Sequence, residues 1–328
     1  MGAKFLSKIQ MGRESTPGTA VPATFIWGGC GILKDEREVK FVDGCVGNLG
    51  GDLRSYTPKL AATLELEETE ASFERLPHLF EMGISAATPS HDGSGGYVYV
   101  YNAPTTNAPT PKSYTVEGGD NVQAEEMEYA ILDELTISGK AGDALMMSAT
   151  LFGRQLQNTT FTSALPAVDT EVILFQRGKL YIDDSGGTIG STQMTGVLLS
   201  MEYKYKSGLA PRYTADGELY FDHASIAQPE IELSLTLEHT TGADAERAKW
   251  RAETPRLIRL AFEGSAISGG STYTHKTLII DLAGKWTEMP NLDDEDGDTI
   301  LTGKFVPRYS ETDSLYARHT IVNNLSSL

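Results

Sequence analysis

Two segments, far apart in the chain, show the same strict alternation of apolar and polar residues. In the first, Leu60, Ala62, Leu64 and Leu66 alternate with Ala61, Thr63, Glu65 and Glu67. In the second, Ile231, Leu233, Leu235 and Leu237 alternate with Glu232, Ser234, Thr236 and Glu238. A period of two with one apolar face predicts a strand that is buried on one side only. The sequence therefore predicts a mostly β protein built around two matching half-buried strands.

The same order of elements follows each of these strands. A short helix is predicted over about 73–80, with a kink or a late start at Pro77, and a second helix over about 243–253, ended by Pro255. Further strands follow both helices, and each half closes with a strand that a Gly-Asp turn opens. A shared order and spacing predict an internal duplication. The alternative is that alternating strands resemble one another in any β protein.

These patterns divide the chain into two domains and two arms. The fold class is predicted to be mostly β, with two related β-sandwich or barrel domains that span 21–163 and 178–310, each with one flanking α-helix. Residues 1–20 and 311–328 are polar and turn-rich, so we expect them to be arms. Residues 86–124 are rich in Pro, Gly, Ser and Thr and predict a long loop with one strand, Tyr97–Tyr101; such a loop is usually functional or a contact surface.

Charge and cysteine content limit the possible functions. The 328 residues carry a formal net charge of −18, and so large a negative charge disfavours tight binding to nucleic-acid phosphates. Two cysteines, Cys30 and Cys45, are too few for a disulfide framework. No apolar run reaches the roughly 18 residues that a membrane-spanning helix needs, and no signal peptide is recognisable. We therefore expect a protein that is made and kept in an aqueous setting, without membrane contact.

The motifs of common catalytic and cofactor sites are missing. No Gly-Lys pair is followed by Ser or Thr, no G-x-S-x-G elbow occurs, and the six histidines are scattered. The best metal candidate is the acidic run Asp293-Asp294-Glu295-Asp296-Gly297-Asp298, which does not fit a helix-loop-helix calcium loop and is more typical of a solvated turn. We predict no catalytic residue, no cofactor and no metal site, and leave open whether this turn binds a cation.

Several segments resemble a known family. These are residues 12–24 (Gly-Arg-Glu-Ser-Thr-Pro-Gly-Thr-Ala-Val-Pro-Ala-Thr), the Trp27-Gly28-Gly29 triplet, residues 72–79, and Glu128-Tyr129 leading into residues 135–140. Together they resemble the tail tube (major tail) proteins of long-tailed bacteriophages. The resemblance implies rings whose inner strands close into a barrel, and stacked rings that form a hollow tube for the genome. This chain is about twice as long as one tube domain, so a duplication would give trimeric rings. A single tube domain with a decoration domain would give hexameric ones.

The resemblance also implies partners and a location. The partners would be further copies of the chain, the tape-measure protein, tail terminator and tip proteins, and the passing genomic DNA without specific binding. The chain would be made in the host cytoplasm and reside in the virion tail tube. Glu65, Glu67, Glu232 and Glu238 lie on the polar faces of the two matching strands and are candidate lumen-facing acidic residues. The alternative function is a carbohydrate-binding or other adhesive β-sandwich virion protein, which would expose aromatic side chains.

Overall fold

The computed structural model describes residues 4–93, 95–165, 169–289, 292–295 and 297–328. The first half contains β1 (Lys8–Arg13), β2 (Phe25–Ile26), β3 (Gly31–Asp35), β4 (Lys40–Phe41), β5 (Ser55–Tyr56), β6 (Ala62–Glu70), α1 (Leu76–Gly83), β7 (Ser90–Asp92), β8 (Gly96–Asn102), β9 (Tyr114–Gly119), β10 (Ala124–Lys140), β11 (Met146–Gly153) and β12 (Leu156–Thr159).

The second half contains β13 (Gly178–Asp184), β14 (Leu198–Lys206), β15 (Leu209–Arg212), β16 (His223–Ile226), β17 (Glu230–Glu238), α2 (Thr241–Arg251), β18 (Arg256–Ala266), β19 (His275–Glu288), β20 (Asp293–Glu295), β21 (Asp298–Pro307) and β22 (Ala317–Asn323). Strands dominate and the described residues hold only these two α-helices, which confirms the predicted mostly β fold.

Strand pairing follows one scheme in both halves. In the first half, β1 pairs with β9, β9 with β10, β10 with β11 and β12, β11 with β6, and β6 with β3. In the second half, β13 pairs with β18, β18 with β19, β19 with β21 and β22, β21 with β17, and β17 with β14. All of these pairs are antiparallel. Even a register shift recurs, between Leu132 and Glu134 in β10 and between Trp286 and Glu288 in β19.

Both helices lie close to where the sequence predicts them. The first begins at Leu76, and Pro77 falls in its first turn, where a missing backbone N–H costs nothing. The second begins at Thr241, two residues before the predicted start, and the Thr240 hydroxyl accepts a hydrogen bond from the Ala243 N–H as its N-cap. Every residue of α1 is buried, whereas most of α2 is exposed.

Three segments differ from their sequence-based description. Strand β1 lies within the expected N-terminal arm, yet its Ile9 and Met11 are buried in the core. Strand β22 lies within the expected C-terminal arm, and its Ile321 is fully buried. In the expected loop 86–124, β8 corresponds to the strand predicted at Tyr97–Tyr101, but β7 and β9 were not predicted, and β8 pairs with β22 of the second half. Short apolar alternations inside polar stretches account for all three, because composition over a long window hides them.

Candidate assembly surface

Eight strands form one long antiparallel sheet, in the order β3, β6, β11, β10, β14, β17, β21 and β19. Because side chains alternate along a strand, one face of this sheet packs on the core and the other faces solvent. In β17, for example, Leu233 and Leu235 are fully buried, whereas Glu232, which precedes Leu233 in the strand, is only half-buried. We call the solvent side of the long sheet the polar face.

Lysines and glutamates on the polar face are arranged in ion pairs. Four such pairs are Lys34–Glu65, Lys204–Glu202, Lys206–Glu230 and Lys304–Glu232. In the last of these, the Lys304 Nζ lies 2.8 Å from a Glu232 carboxylate oxygen, and this hydrogen bond raises the pKa of Lys304. Exposed pairs of this kind add little to stability. Their effect is that positive and negative charges alternate along the polar face.

All four predicted glutamates lie on the polar face, but only two of them form ion pairs. Glu65 and Glu232 take part in the ion pairs named above. Glu67 and Glu238 are exposed and, among the described residues, have no ion-pair partner. The net negative charge of the four therefore resides mainly on Glu67 and Glu238.

The polar face carries two shallow grooves of about 420 and about 470 Å3. The first is lined by Ser138, Glu202 and Thr236, and the second by Glu134 and Lys206 among others. Hydroxyl, ammonium and carboxylate groups thus line both grooves.

The described residues show neither a candidate metal centre nor a membrane-spanning helix. Within the described ranges, no group of three or more His, Cys, Asp or Glu side chains is placed to hold a metal ion. The acidic run 293–298 includes Asp296, which lies outside those ranges, so its reading as a solvated turn stays a prediction. No helix in the described part of the chain is long and apolar enough to cross a membrane.

The two halves meet through a pair of strands in the middle of the long sheet. Residues 134–140 of β10 pair with residues 200–206 of β14 over seven residue pairs. Backbone N–H groups of Ser207 and Ala141 extend this ladder to the carbonyls of Asp133 and Leu199, each at 2.8 Å. The odd-numbered residues of β14 therefore direct their backbone groups toward β10. We call this pairing the internal junction.

A hairpin of the second half reinforces the internal junction. Strands β15 and β16 form it directly after β14, and Phe221 near its tip is fully buried. The Phe221 ring packs 4.9 Å from that of Tyr129 and 5.7 Å from that of Phe152, measured between ring centroids. The Arg154 guanidinium donates hydrogen bonds to the carbonyls of Phe221 and Asp222, both at 3.1 Å. Aromatic packing and an arginine clamp thus hold this hairpin on the first half.

At one end of the long sheet, β3 has an open edge. Strand β3 is the counterpart of β14, but among the described residues it pairs only with β6. The Glu36 N–H donates to the Ala61 carbonyl at 2.9 Å, and the Glu67 N–H donates to the Cys30 carbonyl at 3.0 Å. Even-numbered residues of β3 therefore face β6, and the backbone groups of Gly31, Leu33 and Asp35 face outward. An unpaired row of this kind is a template for another strand.

At the other end of the long sheet, β20 is the counterpart of residues 138–140 of β10. Strand β20 lies beside β21, with Asp293 opposite Ile300, just as Ser138 of β10 lies opposite Met146 of β11. Within the described ranges, the backbone of β20 pairs only with β21, and the Glu295 carboxylate of β20 forms an ion pair with Lys140 of the first half at 3.0 Å. The backbone edge of β20 that points away from β21 therefore corresponds to the edge of β10 that pairs with β14 inside the chain.

Comparison with protein families identifies the family of this chain. The profile of the phage tail tube protein family matches residues 5–310, nearly the whole chain. The chain belongs to this family, and its role is structural, in the tail tube of the virion. Comparison with curated proteins gives no significant match.

The sequence analysis predicted the glutamates but not strand β14 of the internal junction or the open edges β3 and β20. A signal for β14 was present, since Met201, Tyr203 and Tyr205 alternate with charged residues. This signal was not recognised because a tyrosine has a polar hydroxyl group. Both tyrosines are nevertheless buried, with the Tyr203 hydroxyl bonded to His319 Nε2 at 2.6 Å and the Tyr205 hydroxyl bonded to the Gly83 carbonyl at 3.2 Å. Strand β3 is short and gives no comparable pattern.

Proposed function

We propose that three copies of this chain join edge to edge into a ring, and that rings stack into the hollow tube through which the phage genome leaves the virion. The observation that carries the proposal is the internal junction. It unites β10 with β14 inside the chain, and each end of the same sheet presents an open counterpart. If β3 of one copy pairs with β20 of the next, the same junction is repeated between copies.

This ring rests on an internal duplication, with the two halves as tube domains related by the shared pairing scheme. We propose the domain limits 21–163 and 178–310, extended to include β1 and β22 as the outer strands of each half. Three long sheets of eight strands give 24 strands. At about 4.8 Å between strands, their circumference is about 115 Å and their width about 37 Å before strand tilt widens it. Once side chains are subtracted, this width still admits a DNA duplex.

We propose that the polar face lines the channel, with Glu65, Glu67, Glu232 and Glu238 on its wall. Paired charges and hydroxyl groups offer DNA no continuous positive surface, and the two unpaired glutamates repel phosphate. Replacing Glu67 and Glu238 with lysine should leave rings and tubes intact and slow genome ejection, most strongly at low salt. The matched control reverses the paired residues instead, as Lys34→Glu with Glu65→Lys. Equal ejection rates for all variants would contradict this assignment of the channel wall.

Partners beyond further copies of the chain follow from the same role. We propose that the ends of the tube contact tail terminator and tip proteins, and that the tape-measure protein occupies the channel before the DNA does. Synthesis in the host cytoplasm before assembly is part of the same proposal. An adhesive, carbohydrate-binding β-sandwich is not favoured by any observation, since Trp27 and Trp286 are buried rather than offered to a ligand.

The proposal is tested by electron microscopy and native mass spectrometry of the purified chain. Rings or tubes whose unit is a multiple of three copies are the expected result. The chain has a mass of 35.5 kDa, so a ring of three should weigh about 107 kDa. A chain that stays monomeric under all conditions, or closes with another number of copies, would contradict the trimeric ring.

A further inference from the structure

We propose that the β4–β5 hairpin of one copy docks sideways on the next copy of the same ring, against the surface around Arg308. This inference rests on the proposed ring and adds a second contact to each junction. The partner is a second copy of this chain, and the contact is the counterpart of the one that β15–β16 makes inside the chain.

The first observation is that the hairpin exposes large apolar side chains. Residues 36–61 contain the two short strands β4 and β5, and Phe41 and Leu53 are 63% and 91% exposed. Leu49, in the same hairpin, is fully exposed. A cluster of uncovered apolar residues on one protruding element marks a contact surface.

The second observation is that the corresponding hairpin is covered. In β15–β16, the residue pair nearest the tip is Arg212 with His223, and Phe221 stands two residues before His223. In β4–β5, the last residue pair before the tip is Phe41 with Ser55, and Leu53 stands two residues before Ser55. Phe221 is 0% exposed, whereas Leu53 is 91% exposed. The tip of β15–β16 therefore buries its large apolar residue, whereas the tip of β4–β5 leaves its own uncovered.

The third observation is that the surface that receives Phe221 has an unused counterpart. Arg154 follows β11 and its N–H donates to the Glu128 carbonyl at 3.0 Å; Arg308 follows β21 and its N–H donates to the Ala283 carbonyl at 2.8 Å. The Arg308 side chain is exposed, and its hydrogen bond is to the carbonyl of its own neighbour Pro307 at 2.9 Å. Arg308 thus has the backbone setting of Arg154 without a hairpin to clamp.

The surroundings of Arg308 suit an apolar anchor. Tyr309 beside it is 50% exposed, and both residues line a groove of about 460 Å3 that also includes Tyr316 and Pro229. Aromatic rings and a guanidinium therefore flank this groove, as they flank the site of Phe221.

Chain connectivity brings the two surfaces together. Strand β14 pairs with β10, and the β15–β16 hairpin that follows after two residues reaches Arg154. Strand β3 is followed by β4 after four residues. When β3 pairs with the next copy as β14 pairs with β10, the β4–β5 hairpin lies beside the Arg308 of that copy.

A disulfide trap tests the contact directly. Both natural cysteines are free and exposed, so they are first replaced as Cys30→Ser and Cys45→Ser. Leu53→Cys and Tyr309→Cys are then combined, and assembled rings are oxidised and run on a denaturing gel. We expect dimer and trimer bands with no larger species, because a ring of three closes on itself. The matched control pairs Leu53→Cys with Arg251→Cys on the exposed end of α2, and should give no cross-link.

A second measurement does not depend on cysteine geometry. Arg308→Ala should raise the protein concentration needed for half-assembly roughly 10- to 100-fold, since a charged donor loses its carbonyl acceptors in the neighbour. Arg251→Ala should leave it unchanged, and unfolding of the isolated subunit should be the same for both variants.

The outcomes separate this inference from the proposed ring. Rings that form normally, without the cross-link and without an effect of Arg308→Ala, would overturn the docking and leave the ring in place. Cross-linked species larger than three copies, or cross-links that form only when rings are stacked, would mean that the hairpin contacts a copy in the neighbouring ring. Either result would also overturn the inference. A parent chain that forms no rings would overturn both proposals.

Discussion

The open edge of β3 allows a substitution that should block the ring without harming the subunit. The Asp35 N–H faces outward, whereas its neighbours Lys34 and Glu36 turn their backbone groups toward β6. Proline at position 35 removes an N–H that has no hydrogen-bond partner among the described residues of the subunit, and proline is tolerated on edge strands for this reason. In the ring, position 35 corresponds to Tyr205, whose backbone lies in the ladder of the internal junction. Asp35→Pro should therefore act on the contact between copies.

The magnitude follows from the hydrogen bonds involved. Losing one backbone hydrogen bond costs about 0.5–1.5 kcal/mol, and leaving the partner carbonyl buried without a donor adds about 1–3 kcal/mol. The sum is about 2–4 kcal/mol for each junction, or roughly a 30- to 1,000-fold weaker association at each of three junctions per ring. The free energy of unfolding of the isolated subunit should change by about 1 kcal/mol or less, because the lost N–H is exposed there.

Asp35→Ala is the matched control, because it removes the same side chain and its hydrogen bond to the Arg37 N–H but keeps the backbone donor. We expect Asp35→Ala to form rings at nearly the concentration of the parent chain, and Asp35→Pro to remain monomeric in sedimentation velocity. Lys34→Pro should instead destabilise the subunit itself, since its N–H faces β6. Rings of Asp35→Pro that assemble as readily as those of Asp35→Ala would refute the assignment of β3 as the closing edge.

Three further predictions concern the subunit. Burial lowers the pKa of His78 to about 3 and that of His319 to about 4. In the unfolded chain both histidines take up a proton near pH 6.5, so the free energy of unfolding should be highest above that pH and should fall as the pH drops toward 4. The expected loss is about 2 kcal/mol per histidine between pH 7 and 5. Chemical denaturation that shows the same free energy of unfolding at both pH values would contradict this. Glu246→Ala removes the buried carboxylate beside the Arg256 guanidinium, which keeps only its ion pair with the more exposed Asp184, and should cost about 3–5 kcal/mol in the same assay; a cost below 1 kcal/mol would show that Asp184 and water replace the lost partner. Leu233→Ala opens a cavity behind the polar face and should cost about 2–5 kcal/mol, and a neutral result would mean that the core collapses around it.

The sequence predicted the elements whose pattern is local. Strands β6 and β17 alternate without interruption, so their existence and their buried faces could be read directly. The late start of α1 followed from Pro77 alone. The two strands correspond in a register two residues away from the one that their sequence patterns predict. Their pairing with β11 and β21 matches Leu64 with Leu233, whereas the sequence patterns match Leu64 with Leu235.

Elements whose burial depends on distant partners could not be predicted. Strand β9 contains Glu117, which is 2% exposed, and a buried carboxylate is not a strand signal. It is stabilised by hydrogen bonds from Gln10 at 3.1 Å and from the Thr162 N–H at 2.6 Å, which only the fold brings together. For the same reason, sequence cannot tell that β3 lies at an edge while its counterpart β14 is paired on both sides.

The most direct test of the account is a cryo-electron microscopy map of the assembled tube, resolved well enough to trace the strands around the channel. The account predicts an inner barrel of 24 strands from three chains per ring, in which junctions within chains and junctions between chains alternate six times around the channel. At every second junction, β3 of one chain should lie antiparallel beside the segment of the next chain that runs from the end of β19 through β20, with Asp35 in the ladder. A ring of six chains, or a wall formed by the first half alone with the second half outside it, would contradict it.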